Sequence, residues 1–508
     1  MSRRITRRQA LGQTLAGTAL LAAACGRSGG LRPDPFGSTL RTTYRDPQGT
    51  GFLVPGSGEP LRVRTELGPP APAVGVLATV AHLTDAHVLD AQSPARVTFL
   101  DRLGSPFEST FRPHETLTAQ VLDGALRAVG ALRPDRLIEG GDLIDNDQAN
   151  ELTIALTVLA GGMTRSDSGP PGYFGVQSSF NPDPFYYRPE LDAPRHPVLL
   201  RAATRAFFSR GAGVRWHPVL GDHDILVAGE VAPTPGTRGL ALGDRAVWEL
   251  PPGLTAPRGL ISGPGGPGAD GFSPDGPPYP GLVDRFLAVA LNAPKVRVPP
   301  DCARRQLDAA EAVGRLGLAS GQGGRDGRLD YSTDIRDHVR LLVLDLARRG
   351  GGSGGLVRPG QLEWLAHELA RAGDRWILVA SHQPLTSSEG GGAILALLDR
   401  HPRVVAALSG HIHRNRIVPR ATAAGGYWLI STASLIDYPQ QARALRLLAT
   451  ADQGVAIQTW MLDHAYPGTL GTISRQLAYL DAQGGRPQGF IGGRLDRNVT
   501  LYRAGVRK

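Results

Sequence analysis

Five short polar clusters in this chain carry carboxylate and imidazole groups that could bind metal ions. Side chains of these types suit divalent or trivalent ions such as Mn, Fe or Zn, and because no cluster contains a thiolate, a structural zinc knot is excluded. Taken singly, such clusters are usual in turns and at helix starts. Together they predict a metal site, and the candidate ligands are Asp85, His87, Asp142, Asp222, His382, His411 and His413.

Each cluster follows a short apolar run, which is typical of a buried strand with a functional loop at its carboxyl end. Helical patterns lie between the runs, over 115–132 and 359–372. Strand and helix therefore alternate, and an α/β core is predicted. Near the carboxyl terminus, GYWLISTASLIDY, ARALRLLATAD and GVAIQTWMLDH read as adjacent strands with close turns, which favours a mixed sheet with antiparallel members.

The length of 508 residues allows two to four domains, or one domain with large insertions. Gly 66 and Pro 41 make up about a fifth of the chain, which favours long loops on a folded scaffold. Residues 26–75 have little periodicity and are predicted to form a Gly/Pro-rich tether or a loosely packed extension. One domain is predicted over 76–508, with insertions near 88–115, 162–198, 251–300 and 318–328.

The formal charge of +9 comes almost entirely from arginine, since Lys295 and Lys508 are the only lysines. The basic residues are spread thinly, and no dense basic run occurs beyond the amino terminus. Nucleic-acid binding is therefore not expected.

The first 25 residues read as a processing segment rather than as part of the fold. Thr6-Arg7-Arg8 with Leu11 resembles a twin-arginine export signal, and Ala22-Ala23-Ala24-Cys25 resembles a bacterial lipoprotein cleavage box. Ordinary cleavage after a small residue is the alternative. We expect an exported bacterial protein of the cell envelope, secreted or anchored only by a lipid on Cys25. Removal of residues 1–24 takes away four arginines and leaves a charge of +5.

The order of the clusters resembles the signature of the calcineurin-like metallophosphoesterase superfamily, and exported bacterial members with large insertions in particular. The resemblance spans about residues 76–415. It is carried by Asp85-Ala86-His87, by Gly141-Asp142-Leu143-Ile144-Asp145-Asn146, by Gly221-Asp222-His223-Asp224, by His382 in SHQP, and by Gly410-His411-Ile412-His413. It implies a four-layer αββα sandwich of two mixed sheets with a dinuclear metal site at the strand ends.

The resemblance also implies a role for each residue. Asp85, His87, Asp142 and His413 would hold the first ion, and Asp142, Asp222, His382 and His411 the second, with Asp142 as the bridge. A hydroxide between the ions would attack phosphorus, since two ions about 4 Å apart lower the pKa of a shared water. The catalytic residues would be His223, which binds phosphate or protonates the leaving oxygen, and Asp224, which orients it.

Three positions depart from the pattern or lie beside it. Asp222 stands where the family usually has asparagine, which removes one positive charge from the cluster and should disfavour a phosphomonoester dianion or favour a trivalent ion. Asp145 stands where the purple acid phosphatases have tyrosine, so a colourless site is predicted. Asp145 and Asn146 would orient the loop or only hydrogen-bond the turn. His114 either approaches the site or, as polarity near Glu115 favours, marks a helix start.

The segment GYFGVQSSFNPDPFYYRPEL is rich in aromatic residues. They could wall the metal pocket and stack on an aromatic group of a substrate, or they could anchor the insertion by burying apolar area. The residues concerned are Tyr173, Phe174, Phe180, Phe185, Tyr186 and Tyr187.

Metal-dependent hydrolysis of a small-molecule phosphate ester is therefore the predicted function, with monoester and diester both open. The alternative is a degenerate, noncatalytic metal- or ligand-binding lipoprotein on the same fold, to which only Asp222 points. An envelope structural protein is a third class, and only the amino-terminal segment favours it.

Overall fold

Two mixed β-sheets pack face to face in the computed structural model, which describes residues 39–103, 110–251, 280–324, 327–483 and 490–505. Seven strands form the first sheet, six form the second, and three two-stranded ribbons lie outside them. The strands in chain order are β1 Thr42–Arg45, β2 Val54–Ser57, β3 Arg62–Leu67, β4 Ala73–Leu83, β5 Arg136–Glu139, β6 Gly162–Thr164, β7 Phe207–Ser209, β8 Trp216–Pro218, β9 Arg245–Val247, β10 Lys295–Arg297, β11 Tyr331–Arg336, β12 Val339–Leu344, β13 Trp376–Ser381, β14 Val404–Ser409, β15 Arg416–Arg420, β16 Tyr427–Ser431, β17 Gln441–Thr450, β18 Val455–Asp463 and β19 Val499–Arg503.

Helices flank both sheets. The α-helices among the described residues are α1 Thr118–Leu132, α2 Ala149–Ala160, α3 Leu199–Ala203, α4 Pro235–Leu242, α5 Pro280–Ala290, α6 Ala309–Ser320, α7 Gln361–Arg371, α8 Gly391–Leu398 and α9 Gly468–Gln483. Short 3-10 helices cover Pro94–Arg96, Thr98–Leu103, Glu115–Leu117 and Cys302–Arg304. Among the helices described, none combines the length and the apolar composition that a membrane span requires.

The strand order is β3-β19-β18-β17-β4-β5-β8 in the first sheet and β11-β12-β13-β14-β16-β15 in the second. In the first sheet β4, β5 and β8 are parallel neighbours, and in the second β12, β13, β14 and β16 are parallel. Parallel strands bring their carboxyl ends to one edge of a sheet, so the loops that follow them cluster there.

Strand β13 shows why the second sheet is buried on both faces. Its sequence WILVAS is apolar without alternation, which is the pattern of a strand covered on both sides. Leu378 and Ala380 face the core between the two sheets, whereas Ile377 and Val379 face outward against helices α7 and α8. The predicted αββα arrangement of layers is confirmed.

The helix predicted over 115–132 is a 3-10 turn followed by α1, and the helix predicted over 359–372 is α7. One strand prediction needs correction. β17 and β18 form an antiparallel hairpin, but the segment before them supplies β16 to the other sheet. All three segments have the same apolar character, because both sheets bury both faces there, so composition alone does not separate them.

The predicted tether is folded in its described part. Strands β1 and β2 pair with each other, and β3 pairs in parallel with β19 at the edge of the first sheet. Two of the six residues of β3 are buried, a pattern too weak to predict a strand from the sequence. The predicted export signal at 1–25 lies outside the described residues, as do 26–38, 252–279 and parts of two other predicted insertions.

Candidate metal centre

All seven predicted ligands follow the carboxyl ends of strands and converge at one edge of the two sheets. Three strands of the first sheet and two of the second carry them. The pairs of strand and ligand are β4 with Asp85 and His87, β5 with Asp142, β8 with Asp222, β13 with His382, and β14 with His411 and His413. The polar clusters that are scattered along the chain therefore form one site.

The first group of donor atoms comes from Asp142, Asp222, His382 and His411, which each offer one atom within 4.8 Å of the others. His382 Nε2 lies 3.0 Å from Asp142 Oδ2 and 3.3 Å from Asp222 Oδ1, and His411 Nδ1 lies 3.3 Å from the same Asp222 oxygen. This group is the set predicted for the second ion.

The second group comes from Asp85, His87 and His413, again within 4.8 Å. His413 Nε2 lies 3.2 Å from Asp85 Oδ1 and 3.3 Å from His87 Nε2. Asp142 Oδ2 is 3.7 Å from His87 Nε2, so the Asp142 carboxylate lies between the two groups. That position suits a carboxylate that bridges two cations, as predicted.

The protonation of the histidines makes these groups suitable for cations. His382 Nδ1 donates to the carbonyl oxygen of Gly140 at 2.8 Å, which leaves a lone pair on Nε2. That Nε2 atom is fully buried and has no hydrogen-bond partner among the described residues. His87 and His413 likewise donate from Nδ1 to carboxylates, so their Nε2 lone pairs face each other. A cation between such donors would remove their repulsion.

Without a cation, the carboxylates favour protons on these rings. Burial lowers the pKa of His413, but the nearby Asp85 and Asp437 carboxylates outweigh it and raise that pKa to about 9. Burial also opposes the charged form of His382, yet Asp142, Asp222 and Asp85 raise its pKa well above the ordinary value. Positive charge is thus favoured at the site, and metal binding would release protons.

Five of the seven candidate ligands have a left-handed backbone. The values of φ are 53° at Asp85, 42° at His87, 51° at Asp142, 66° at His411 and 52° at His413. Residues other than glycine adopt this conformation at a cost of about 1 kcal/mol or more each. Such conformations gather at functional sites, where the surrounding structure holds them, and here they turn the side chains toward one point.

Two carboxylates outside the candidate ligand set fix the histidines of the second group. Asp145 accepts a hydrogen bond from His87 Nδ1 at 3.0 Å and pairs on its other oxygen with Arg96. Asp437 accepts from His413 Nδ1 and pairs with Arg112, whose Nε lies 2.6 Å from Asp437 Oδ1. Carboxylates behind metal-binding histidines set the tautomer and orient the ring.

The arginines keep both carboxylates ionised. Burial alone would raise the pKa of Asp145, but Arg96 and the neighbouring imidazoles hold it far below its usual range. The pKa of Asp437 is held low against burial by Arg112 and His413 in the same way. Both carboxylates are thus acceptors only, so the ring protons stay on Nδ1.

His223 and Asp224 occupy the site, but Asp224 does not hold the ring. The Asp224 carboxylate accepts hydrogen bonds from the backbone N–H groups of Gly221, Asp142, Leu143 and Ile144 at 2.8–3.2 Å. His223 Nδ1 instead donates to the carbonyl oxygen of Asp145 at 2.8 Å. The prediction that Asp224 orients His223 is therefore wrong. Asp224 instead joins the loop that carries Asp142 to the loop that carries Asp224, and the backbone of Asp145 orients His223.

His114 and Asn146 have the structural roles that the alternatives described. His114 begins the 3-10 turn and hydrogen-bonds through Nε2 to the carbonyl oxygen of Ile436 at 2.6 Å. Asn146 donates to Asp145 and accepts from the backbone N–H of Ala228, so it ties two loops together.

The predicted aromatic wall is in part an anchor. Tyr186 is fully buried, lies 4.9 Å from the Phe111 ring centroid to centroid, and donates to the carbonyl oxygen of Trp248. Phe180, in contrast, is 92% exposed. For Tyr186 the anchoring alternative is therefore the correct one.

Four residues of the site were missed from the sequence. Asp437 lies six residues after the end of β16, further from its strand than the candidate ligands lie from theirs, but still in a loop that follows an apolar strand. Gln383, which donates from Nε2 to Asp222 Oδ1 at 2.9 Å, directly follows a candidate ligand. No local signal distinguishes Arg96 and Arg112, because their partners are far away in the chain.

No protein-family model matches this chain, and neither does any curated protein. Among solved structures it is similar to a dimetal phosphatase from Danio rerio, at 14% identity and a TM-score of 0.38, over 77% of this chain and 99% of that one. It is also similar to the sulfate thiohydrolase SoxB of Thermus thermophilus in complex with glycerol, at 12% identity and a TM-score of 0.30, over 82% of this chain and 62% of that one. Fold and site together define a mixed α/β protein with a candidate centre for two metal ions.

We expect Gly229→Ala to disrupt the site. A Cβ atom there would lie 2.4 Å from His223 Cδ2 and 2.5 Å from Asp222 Oδ2. Gly213→Ala is the matched control, because Gly213 also has a positive φ but no atom within 4 Å of the added carbon. Both variants should lose about 1 kcal/mol of unfolding free energy in urea from the backbone. Only Gly229→Ala should also lose bound metal, by elemental analysis; equal metal content in both variants would contradict this.

We expect Arg96→Gln and Arg112→Gln each to weaken the binding of one of the two ions. Loss of such supporting contacts costs about 10–100-fold in metal affinity, so competition with a chelator should remove one ion early. Arg127→Gln is the control, because Arg127 pairs with Asp123 on α1 and is partly exposed.

Because a lone buried carboxylate destabilises the fold, the double variant Arg112→Gln/Asp437→Asn tests the same point without leaving the Asp437 charge unpaired. Wild-type metal affinity in this folded double variant would refute the supporting role.

Proposed function

We propose that this chain is a metal-dependent hydrolase that acts on a phosphate ester. The observation that supports this most is the position of Asp142 between two groups of donors, each of which is suited to one cation. Asp85, His87, Asp142 and His413 would hold one ion, and Asp142, Asp222, His382 and His411 the other, with Mn, Fe or Zn as candidates. Two ions held there would supply an activated water and charge neutralisation for the phosphoryl oxygens.

The protein's own acid or hydrogen-bond donor is His223. Its Nδ1 atom is engaged by the Asp145 carbonyl oxygen, and its side chain is 17% exposed. The ring also lies next to His87, at 4.4 Å between centroids. Nε2 is therefore the atom through which His223 would bind a phosphoryl oxygen or protonate the leaving oxygen, within reach of both groups of ligands.

Asp224 would act through the backbone. Its carboxylate accepts hydrogen bonds from the backbone N–H groups of Gly221, Asp142, Leu143 and Ile144. These bonds fix the position of the bridging Asp142 carboxylate relative to the loop that carries His223. The pKa of Asp224 is raised to about 7 by burial and by the Asp142 carboxylate. The four donated hydrogen bonds suit the ionised form, so protonation would loosen both loops together.

The amino-terminal sequence supports a further part of the proposal. The twin-arginine-like and lipobox-like motifs would place the enzyme in the cell envelope, with Cys25 as the attachment point for a lipid. The substrate would be a small molecule reached outside the cytoplasm, and contact with the membrane would need only the lipid.

Elemental analysis combined with three substrates tests the activity. We expect two ions per chain and hydrolysis of p-nitrophenyl phosphate or bis-p-nitrophenyl phosphate, but not of p-nitrophenyl sulfate. His223→Ala should lower kcat by about 10²–10⁴ without changing the metal content, whereas His367→Ala on the exposed face of α7 should change neither. Two bound ions with no turnover would favour the noncatalytic metal-binding protein instead, and no bound metal would refute both of these functions.

Asp222→Asn tests the effect of the extra carboxylate. Removal of one negative charge near the ions should favour a dianionic monoester, since charges a few ångströms apart interact by several kcal/mol at a protein surface. We expect the ratio of kcat/KM for the monoester to that for the diester to rise by at least about tenfold. The Asn side-chain oxygen can still accept the Gln383 amide. An unchanged ratio and an unchanged preference between Mn(II) and Fe(III) would contradict the charge argument.

A further inference from the structure

A cavity of about 650 Å³ lies on the outer face of the second sheet, beside the candidate metal centre. Its floor is apolar and includes Ala407, Val418 and Leu429, and its lining also contains Arg414, Arg416 and Phe490. This volume is within the range of pockets that hold small organic ligands. The cavity is outside both groups of candidate metal ligands.

Strand alternation explains why the cavity is apolar at one end and polar at the other. Ala407 and Leu429 belong to the outer apolar cluster, in which helices α7 and α8 cover the side of the sheet near β12 and β13. Ser409 on β14 and Ser431 on β16 each lie two residues further toward the carboxyl end of the strand than Ala407 and Leu429. Their hydroxyl groups form a hydrogen bond of 2.7 Å with each other. The polar end is therefore the end nearest the metal-binding loops.

The same loops wall the cavity and carry the candidate ligands. Ile412 lines the cavity, although His411 and His413 on either side of it face the metal centre. Ser381, directly before His382, also lines it. Phe490 contributes to the cavity wall, and its ring centroid lies 5.7 Å from that of His413. A ligand could thus reach from the cavity to the metal centre.

The charge of this region suits an anionic head group. Arg420 and Arg403 pair with Asp399 and Asp374, so the guanidinium groups at the cavity are those of Arg414 and Arg416. Arg416 and Val418 are two residues apart on β15, so they point to the same face. Both Arg414 and Arg416 are exposed. An apolar floor next to exposed guanidinium groups fits an amphiphile whose head is negatively charged.

We propose that this cavity binds the apolar group of an amphiphilic phosphate ester, with the phosphate held at the metal centre. This inference rests on the proposed hydrolase activity and names its substrate class. Arg414 and Arg416 attract the anionic head, and the alkyl chain lies over Ala407, Leu429 and Val418. Each methylene that is fully buried should improve binding by about fourfold.

Hydrolysis of p-nitrophenyl methyl, butyl and octyl phosphates tests the proposal, because all three release the same p-nitrophenolate. We expect kcat/KM to rise by about tenfold or more from the methyl to the octyl ester, with only part of the chain buried. No hydrolysis of these diesters or of p-nitrophenyl phosphate would refute the proposed function. Hydrolysis without dependence on chain length would refute the cavity assignment alone.

Val418→Glu places a carboxylate on the apolar floor and should reduce the octyl-to-methyl ratio to about one. Val63→Glu is the matched control, because Val63 is 56% exposed on edge strand β3 of the other sheet; it should keep the wild-type ratio. Val418→Ser serves as a milder variant if the glutamate prevents folding. A wild-type ratio in a folded Val418 variant would overturn the assignment.

Calorimetric titration of octylphosphonate and methylphosphonate gives a readout that does not need turnover. The protein as purified should bind the octyl compound at least about tenfold more tightly, and Arg416→Gln should weaken both. Equal affinity for the two compounds, or octyl affinity unchanged in Val418→Glu, would overturn the cavity assignment even in an active enzyme.

Discussion

The mutual repulsion of lone pairs around Asp142 is the constraint on which the rest of this structure depends. Asp142 Oδ2 lies 3.0 Å from His382 Nε2 and 3.7 Å from His87 Nε2, while His87 Nε2 and His413 Nε2 are 3.3 Å apart. Such atoms repel one another unless a proton or a cation lies between them. The pKa values of His382 and His413 are raised because a proton on these rings reduces that repulsion. The left-handed backbone at five ligands is the local cost of bringing them together.

Contacts outside the ligand groups counter that repulsion. Asp224 binds four backbone N–H groups and so joins the loops after β5 and β8. Arg96 and Arg112 hold Asp145 and Asp437 as anions behind two histidines. Both arginines come from the insertion near 88–115, which therefore supports the centre from the side of the first sheet. An insertion that lengthens the His87–Asp142 interval thus has a physical role.

The loop from Gly410 to Arg414 has two different surfaces. His411 and His413 face the metal centre, and Ile412 faces the cavity on the outer side of the second sheet. A short loop in this way places two candidate metal ligands directly beside the wall of the cavity. The left-handed backbone at His411 and His413 bends this loop between β14 and β15, and that bend, rather than strand alternation, sets the two directions.

Much of the fold and the site could be predicted from the sequence. Apolar runs ending in Asp or His located β4, β5, β8, β13 and β14, and periodicity located α1 and α7, because these signals are local. The sequence did not predict that β16 belongs to the second sheet while β17 and β18 belong to the first, since the strands of both sheets share one apolar pattern. The folding of residues 39–75 was missed because β3 buries only two residues.

The sequence by itself determined which side chains could bind metal, since residue type and strand-end position are properties of short segments. Only the tertiary structure decided what supports them. Arg112 and Asp437 are 325 residues apart, and no local pattern connects them. The backbone donors that bind Asp224 and the cavity beside Ile412 likewise depend on which strands become neighbours in the folded sheets. Packing of the two sheets sets those distances, and it is a property of the whole chain.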